Sequence, residues 1–216
     1  RAHGLALRAR GKAQPAAEVL ESVVIFLQPR LARPFDEVAR QRQAADRRAV
    51  GRDCPELIPI AAGNHGGGSG SSDVADYATS GAAVNVNLTT GTGTGGDAQG
   101  DVLLNIERLQ GSDFDDTLTG NSTNNMLTGG AGDDLLDGGA GTDSLYGGDG
   151  NDTLRGGSGS DVLSGGAGID TADYSTATSG VNASLAAGSG SSGDANGDSY
   201  TSIENLTGSA YADTLT

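Results

Sequence analysis

At 216 residues the chain is long enough for one or two domains, yet it holds no Trp, three Phe, one Met and 37 Gly, which excludes a core packed from large side chains. The net charge of −15 is unevenly placed: residues 1–62 carry 11 Lys and Arg against 7 Asp and Glu, whereas residues 63–216 carry 2 against 21. A segment at −19 with few large apolar groups is expected to stay disordered in plain water unless a cation neutralises its carboxylates.

Residues 1–62 read as a short helical, Arg-rich segment. AAEVLESVVIFLQ (16–28) lies between Pro15 and Pro29, and FDEVARQRQAADRRAV (35–50) follows Pro34, with acids in its first turn, arginines in its last and Gly51 at its end. The Arg face reads as a solvated helix face, so no nucleic-acid partner is expected. The most apolar stretch, VLESVVIFLQ (19–28), is well short of the ~20 residues a bilayer requires and carries Glu21, so no membrane span is expected. Cys54 is the single cysteine, which rules out an intramolecular disulfide, and it reads as an inert thiol. With no initiating Met and no signal peptide, the chain is expected to be a processed or partial product.

GNHGGGSGSSD (63–73) reads as a flexible Gly/Ser linker. Its HGGG resembles the oxyanion loop of some esterases, but the chain has no GxSxG nucleophile turn. Beyond the linker, residues 76–119 laid on 173–216 at a constant offset of 97 are identical at 22 of 44 positions, so the chain holds a duplicated unit. VNVNL (84–88) alternates as a strand does and VLLNIERL (102–109) offers a second. Residues 74–110 and 174–216 are therefore read as two β-rich flanking modules. The first runs on into a repeat array, and the second stops at Thr216 on the threshold of another, so the natural protein is expected to continue.

Between the modules, at 111–173, the chain repeats every nine residues. GGAGDDLLD (129), GGAGTDSLY (138), GGDGNDTLR (147), GGSGSDVLS (156) and GGAGIDTAD (165) are in register; GSDFDDTLT (111) and GNSTNNMLT (120) precede them and GSAYADTLT (208) opens a further array. Glycines at the first, second and fourth positions are expected to take positive φ and turn their carbonyls inward. The third and fifth positions vary and should face solvent. The sixth position supplies a carboxylate just after the turn, and carbonyl plus carboxylate oxygens are the ligands Ca²⁺ takes. One turn cannot supply a full shell. If two nonapeptides make one coil of a right-handed parallel roll, however, a cation fits between each turn and the turn two repeats along. The last three residues of each repeat would form a very short strand whose middle residue, Leu118, Leu127, Leu136, Leu145, Leu154, Leu163 or Ala172, points inward. One such residue in nine buries too little to order the chain alone, so the rhythm makes metal binding part of folding.

These nonapeptides resemble the GGxGxDxUx repeat of the RTX, or haemolysin-type calcium-binding, family. The resemblance implies an all-β fold, a right-handed parallel β-roll (β-solenoid), with Ca²⁺ in the turns, export by a type I system as an unfolded chain, and folding outside the cell. Carried over by position, the metal carboxylates are Asp134, Asp143, Asp152, Asp161 and Asp170, with carbonyls from the turns of Gly130 and Gly132, Gly139 and Gly141, Gly148 and Gly150, Gly157 and Gly159, and Gly166 and Gly168. Pairing each repeat with the second one along gives complete sites at 134/152, 143/161 and 152/170. Asp116 pairs with Asp134 in a weaker site, since Phe114 replaces a turn glycine, and Asn125 is expected to bind nothing.

Other acids read differently. Asp137 and Asp173, at the ninth position, are expected on the solvated surface. GDANGDSYTSIE (193–204) looks a little like an EF-hand loop, but its glycine and glutamate are out of register, so Asp97, Asp101, Glu107, Asp194, Asp198 and Glu204 are expected to cap turns. No HExxH occurs, and His3 and His65 cannot build a zinc protease site. The expected function is therefore calcium binding by a secreted, extracellular, non-catalytic region covalently continuous with further domains. Two rivals stay open: the C-terminal secretion region of an RTX protease, lipase or epimerase, and a spacer of an RTX adhesin.

Overall fold

The computed structural model describes residues 64–66 and 73–216, all within the unit Ala44–Thr216. The two helices expected within 1–62, Cys54 and the apolar stretch 19–28 lie outside the described residues. Among the described residues no helix is long and apolar enough to cross a membrane.

The described chain is all-β. In order, its strands are β1 (Asn64–Gly66), β2 (Val74–Asp76), β3 (Asn85–Asn87), β4 (Thr92–Thr94), β5 (Val102–Leu104), β6 (Arg108–Gln110), β7 (Thr117–Asn121), β8 (Met126–Ala131) and β9 (Leu135–Gly141). They continue as β10 (Ser144–Asp149), β11 (Thr153–Gly159), β12 (Val162–Ala167), β13 (Thr171–Asp173), β14 (Asn182–Ser184), β15 (Ser189–Ser192), β16 (Ser199–Thr201), β17 (Asn205–Thr207) and β18 (Thr214–Leu215). Two nine-stranded sheets result, ordered β1-β5-β4-β3-β7-β9-β11-β13-β17 and β18-β14-β15-β16-β12-β10-β8-β6-β2.

Successive nonapeptides alternate between the sheets, so each repeat hydrogen-bonds in parallel with the one two along. Leu118 lies beside Leu136, Leu136 beside Leu154 and Leu154 beside Ala172 in one sheet. Leu109, Leu127, Leu145 and Leu163 do the same in the other. The spacing of eighteen explains why parallel strands need no helical crossover here: the intervening repeat, which adds a row to the other sheet, is the crossover. The six leucines from Leu118 to Leu163 and Ala172 are 0% exposed and belong to one buried cluster. The strands are longer than the expected last three residues of each repeat. Leu135–Gly141 and Thr153–Gly159 run on through the next glycine turn, whose backbone keeps bonding to the row beside it.

The flanking modules extend the same rows. β2 to β7 begin 97 residues before β13 to β18 in each case, and the 3-10 turns Gly96–Ala98 and Gly193–Ala195 match likewise. Each module inserts an antiparallel meander, β3-β4-β5 or β14-β15-β16, before rejoining the parallel rows. Val86 thereby packs in register with Leu118, and Tyr200 with Leu163. Within the stretch read as a flexible linker, Asn64–Gly66 is a strand paired parallel to β5, because the open edge of Val102–Leu104 offers its backbone partners. β1 stands to β5 as β12 stands to β16.

Candidate metal centre

The three glycines of each full repeat do two different jobs. At the second and fourth positions, from Gly130 and Gly132 to Gly166 and Gly168, φ lies between +92° and +152°. A Cβ there would also fall on the backbone one row away: on Gly130 from Gly148, on Gly139 from Gly157 and on Gly148 from Gly166. Turns in neighbouring rows are thus in direct backbone contact. First-position glycines, in contrast to the sequence reading, do not take positive φ. A Cβ on Gly129, Gly138, Gly147, Gly156 or Gly165 would instead fall on Oδ2 of the Asp five residues later. Their lack of a side chain makes room for the carboxylate. The same clash would arise at Gly111 and Gly208, and at Gly120 with Oδ1 of Asn125, which accounts for glycine leading all eight repeats.

The sixth-position aspartates turn inward, under the turns. Asp134, Asp143, Asp152, Asp161 and Asp170 are at most 2% exposed. Each uses Oδ1 to accept the backbone N–H of the sixth-position residue one row earlier. Asp134 N–H donates to Asp152, Asp143 to Asp161 and Asp152 to Asp170, each at 2.8 Å. Asp116 and Asn125 donate to Asp134 and Asp143 at 2.7 Å. The pairs eighteen apart that the sequence singled out are therefore brought into contact.

Oδ2 of all five aspartates is buried with no hydrogen-bond partner. Such an atom is costly in an ionised carboxylate. Burial, with coulombic repulsion from neighbouring carboxylates as a lesser cause, drives the carboxyl of Asp134 up to about 7 and those of Asp143 and Asp152 up to about 6. Asp161 and Asp170 are raised for the same reasons. An orphaned oxygen in each of five stacked turns fits a hard divalent cation. No three His, Cys, Asp or Glu side chains gather at one point among the described residues. A cation here would therefore take two carboxylates at most and complete its shell from backbone carbonyls, a donor set suited to Ca²⁺.

Asp116 is placed differently. Val84 N–H reaches its Oδ1 at 2.7 Å, and the Ser112 N–H and hydroxyl reach its Oδ2 at 2.5 and 3.0 Å. Neither oxygen is orphaned. Asn125 Oδ1 accepts the Asn121 N–H at 2.8 Å.

The remaining acids act within the fold. Glu107 and Glu204 accept the backbone N–H groups of Asp73 and Asp170, at 3.1 and 2.9 Å, as turn caps do. Asp101 and Asp198 are buried against the hydroxyls of Tyr77 and Tyr174. Asp173 is not on the solvated surface as expected: it is 8% exposed and bonded to Arg155 Nε at 2.8 Å. Burial raises its carboxyl, but Ser175 and Arg155 outweigh that and lower it overall. Asp137, in register with Arg155 on the neighbouring strand, is half-buried.

Two features escaped the sequence reading. At the exposed fifth position, Asp115 Oδ1 accepts Asp133 N–H, Asp133 accepts Asn151 N–H and Asn151 accepts Ile169 N–H, at 2.8 to 3.0 Å, so short polar side chains there tie row to row. Asp73 also has a buried, unpartnered Oδ2. It lies 97 residues before Asp170, so extending the duplication three residues upstream of Asp76 finds it.

No curated protein matches the chain. A family model, described as the RTX calcium-binding nonapeptide repeat (4 copies), matches residues 110–145 and 137–172. The matched span covers five of the six aspartates with orphaned oxygens, all but Asp73, together with their turn glycines and the buried residues from Leu118 to Ala172. Residues 110–172 are RTX calcium-binding nonapeptide repeats.

Proposed function

We propose that this chain binds Ca²⁺ between stacked glycine turns of a right-handed parallel β-roll, at the pairs Asp134/Asp152, Asp143/Asp161 and Asp152/Asp170, and that binding drives folding. The observation that carries this reading is the buried, unpartnered Oδ2 recurring once per full repeat. The parallel register of eighteen and the alternation between two sheets support the roll. The chain's own part is clear. Second- and fourth-position glycines let the rows approach, first-position glycines admit the carboxylate, and Oδ1 is tethered to the previous row so that Oδ2 is held in place. A bound ion would neutralise carboxylates that otherwise repel one another.

Calcium-linked folding suits a secreted, extracellular region that leaves the cell unfolded by type I export and sets in calcium-rich surroundings. We read the region as non-catalytic and as part of a larger protein. The 97-residue duplication, matched strand for strand, favours a spacer of an RTX adhesin over the secretion region of an enzyme, because extended arrays grow by duplicating such units. Calcium titration by calorimetry beside far-UV circular dichroism tests the reading. About three ions should bind with a coil-to-β transition, and the same spectrum in EDTA as in millimolar calcium would overturn it.

A further inference from the structure

In the five full repeats Oδ2 of the sixth-position Asp has no partner, whereas beside the array a protein hydroxyl meets Asp101, Asp116, Asp198 and Asp213, and among the described residues outside the array Asp73 alone keeps an orphaned Oδ2. At one end the Ser112 hydroxyl donates to Asp116 Oδ2 at 3.0 Å and that of Tyr77 to Asp101 Oδ2 at 2.9 Å. At the other, Tyr174 donates to Asp198 Oδ2 at 2.7 Å while Asp161 N–H holds Oδ1 at 2.9 Å. The Ser209 hydroxyl reaches Asp213 at 2.7 Å, on the Oδ1 that also accepts the Val181 N–H. Ser112 and Ser209 stand at the second position of their nonapeptides, where every full repeat has Gly. Asn125 achieves the same end by being neutral, with its amide Nδ2 donating to the Glu107 carbonyl at 3.3 Å.

We infer that these side chains stand in for the cation at both ends of the array, so that calcium dependence is confined to residues 129–173 while the modules flanking them are ordered without metal. The inference rests on the calcium reading of the full repeats. Strand pairing agrees with it. β3 with β7 and the β3-β4-β5 meander close the first module on itself, as β14 with β18 and β14-β15-β16 close the second. None of these pairings passes through a turn with an orphaned carboxylate. The buried side chains Tyr77, Val84, Val86 and Ile106, and Tyr174, Val181, Tyr200 and Ile203, give each module its own apolar filling. The modules then act as ready-made end rows on which the glycine turns stack when calcium arrives, which removes the cost of starting a repeat array from nothing.

Hydrogen exchange read by mass spectrometry on the full chain, in EDTA and in millimolar calcium, tests this. In EDTA the amides of 84–119 and 181–201 should be protected and those of 129–173 should not. Calcium should then slow exchange in 129–173 by about 100-fold or more and leave the modules nearly unchanged. Tyr174→Phe should speed exchange of 181–201 in EDTA by about tenfold or more, since Asp198 Oδ2 loses its donor, and leave the calcium response of 129–173 in place. Ser112→Gly should do the same to 84–119, and it serves should the tyrosine variant fail to fold. Modules that gain protection only together with the array would overturn the inference and leave the calcium reading standing. An array protected equally in EDTA and calcium would overturn both.

Discussion

Asp152→Asn gives the sharpest test of the orphaned carboxylates, because its effect should change sign with calcium. Asp152 is 1% exposed, its Oδ1 accepts the Asp134 N–H at 2.8 Å, and its Oδ2 has no partner. Asparagine keeps the shape and the Oδ1 bond but removes the charge. Without metal, burial holds this carboxyl at about 6 against an ordinary 3.8, a difference that costs the metal-free fold about 3 kcal/mol at pH 7.5. The variant should therefore show more β structure than wild type in EDTA, its metal-free array lying closer to folding by up to about 3 kcal/mol, less whatever an orphaned amide costs. In calcium the ranking should invert. Asp152 belongs to two of the proposed pairs, so losing its charge should raise the calcium midpoint for β formation by at least about tenfold, near 1.4 kcal/mol per tenfold. Circular dichroism in EDTA and across a calcium series measures both halves. A variant with less β structure than wild type both in EDTA and in calcium would refute the reasoning, since it would show Asp152 to be an ordinary structural hydrogen-bond acceptor.

Further outcomes follow from the same geometry. Gly147→Ala, at a first position with an ordinary φ, should raise the calcium midpoint, because the added Cβ falls on Asp152 Oδ2; an unaltered midpoint would mean that the carboxylate need not sit there. Lowering the pH from 7.5 to 4.5 in EDTA should draw the metal-free array toward the folded state. Asp134, Asp143 and Asp152 titrate at about 7, 6 and 6 when folded, so the penalty present above those values is relieved as pH falls toward 3.8, and the β signal in circular dichroism should rise. Over the same interval in calcium, affinity should fall as protons compete for the carboxylates, a trend calorimetry would read. Leu145→Ala, at a position 0% exposed, should cost about 2 to 5 kcal/mol in urea melts in calcium, and a loss below about 1 kcal/mol would count against a dry interior between the sheets.

The nine-residue period, the inward leucine rows and the duplication are plain in the sequence, because each recurs at a fixed spacing and a row-by-row fold repeats its environment at that spacing. Asp134, Asp143, Asp152, Asp161 and Asp170 could be named for the same reason, as could the pairs eighteen apart once two repeats are assigned to each row. What only the tertiary structure decided is which atom meets which across rows. The purpose of the first-position glycine depends on where Oδ2 of an Asp five residues later comes to rest. That Asp116 is satisfied by Ser112 depends on a hydroxyl turning toward it, and that Asp173 is buried on Arg155 depends on two strands being neighbours. Tyr174 and Asp198 meet across 24 residues of chain, outside the nonapeptide rhythm, so no period announces them. Periodicity fixes which residues share an environment; the contents of that environment depend on the distance and angle at which one row meets the next, and no single row carries that information.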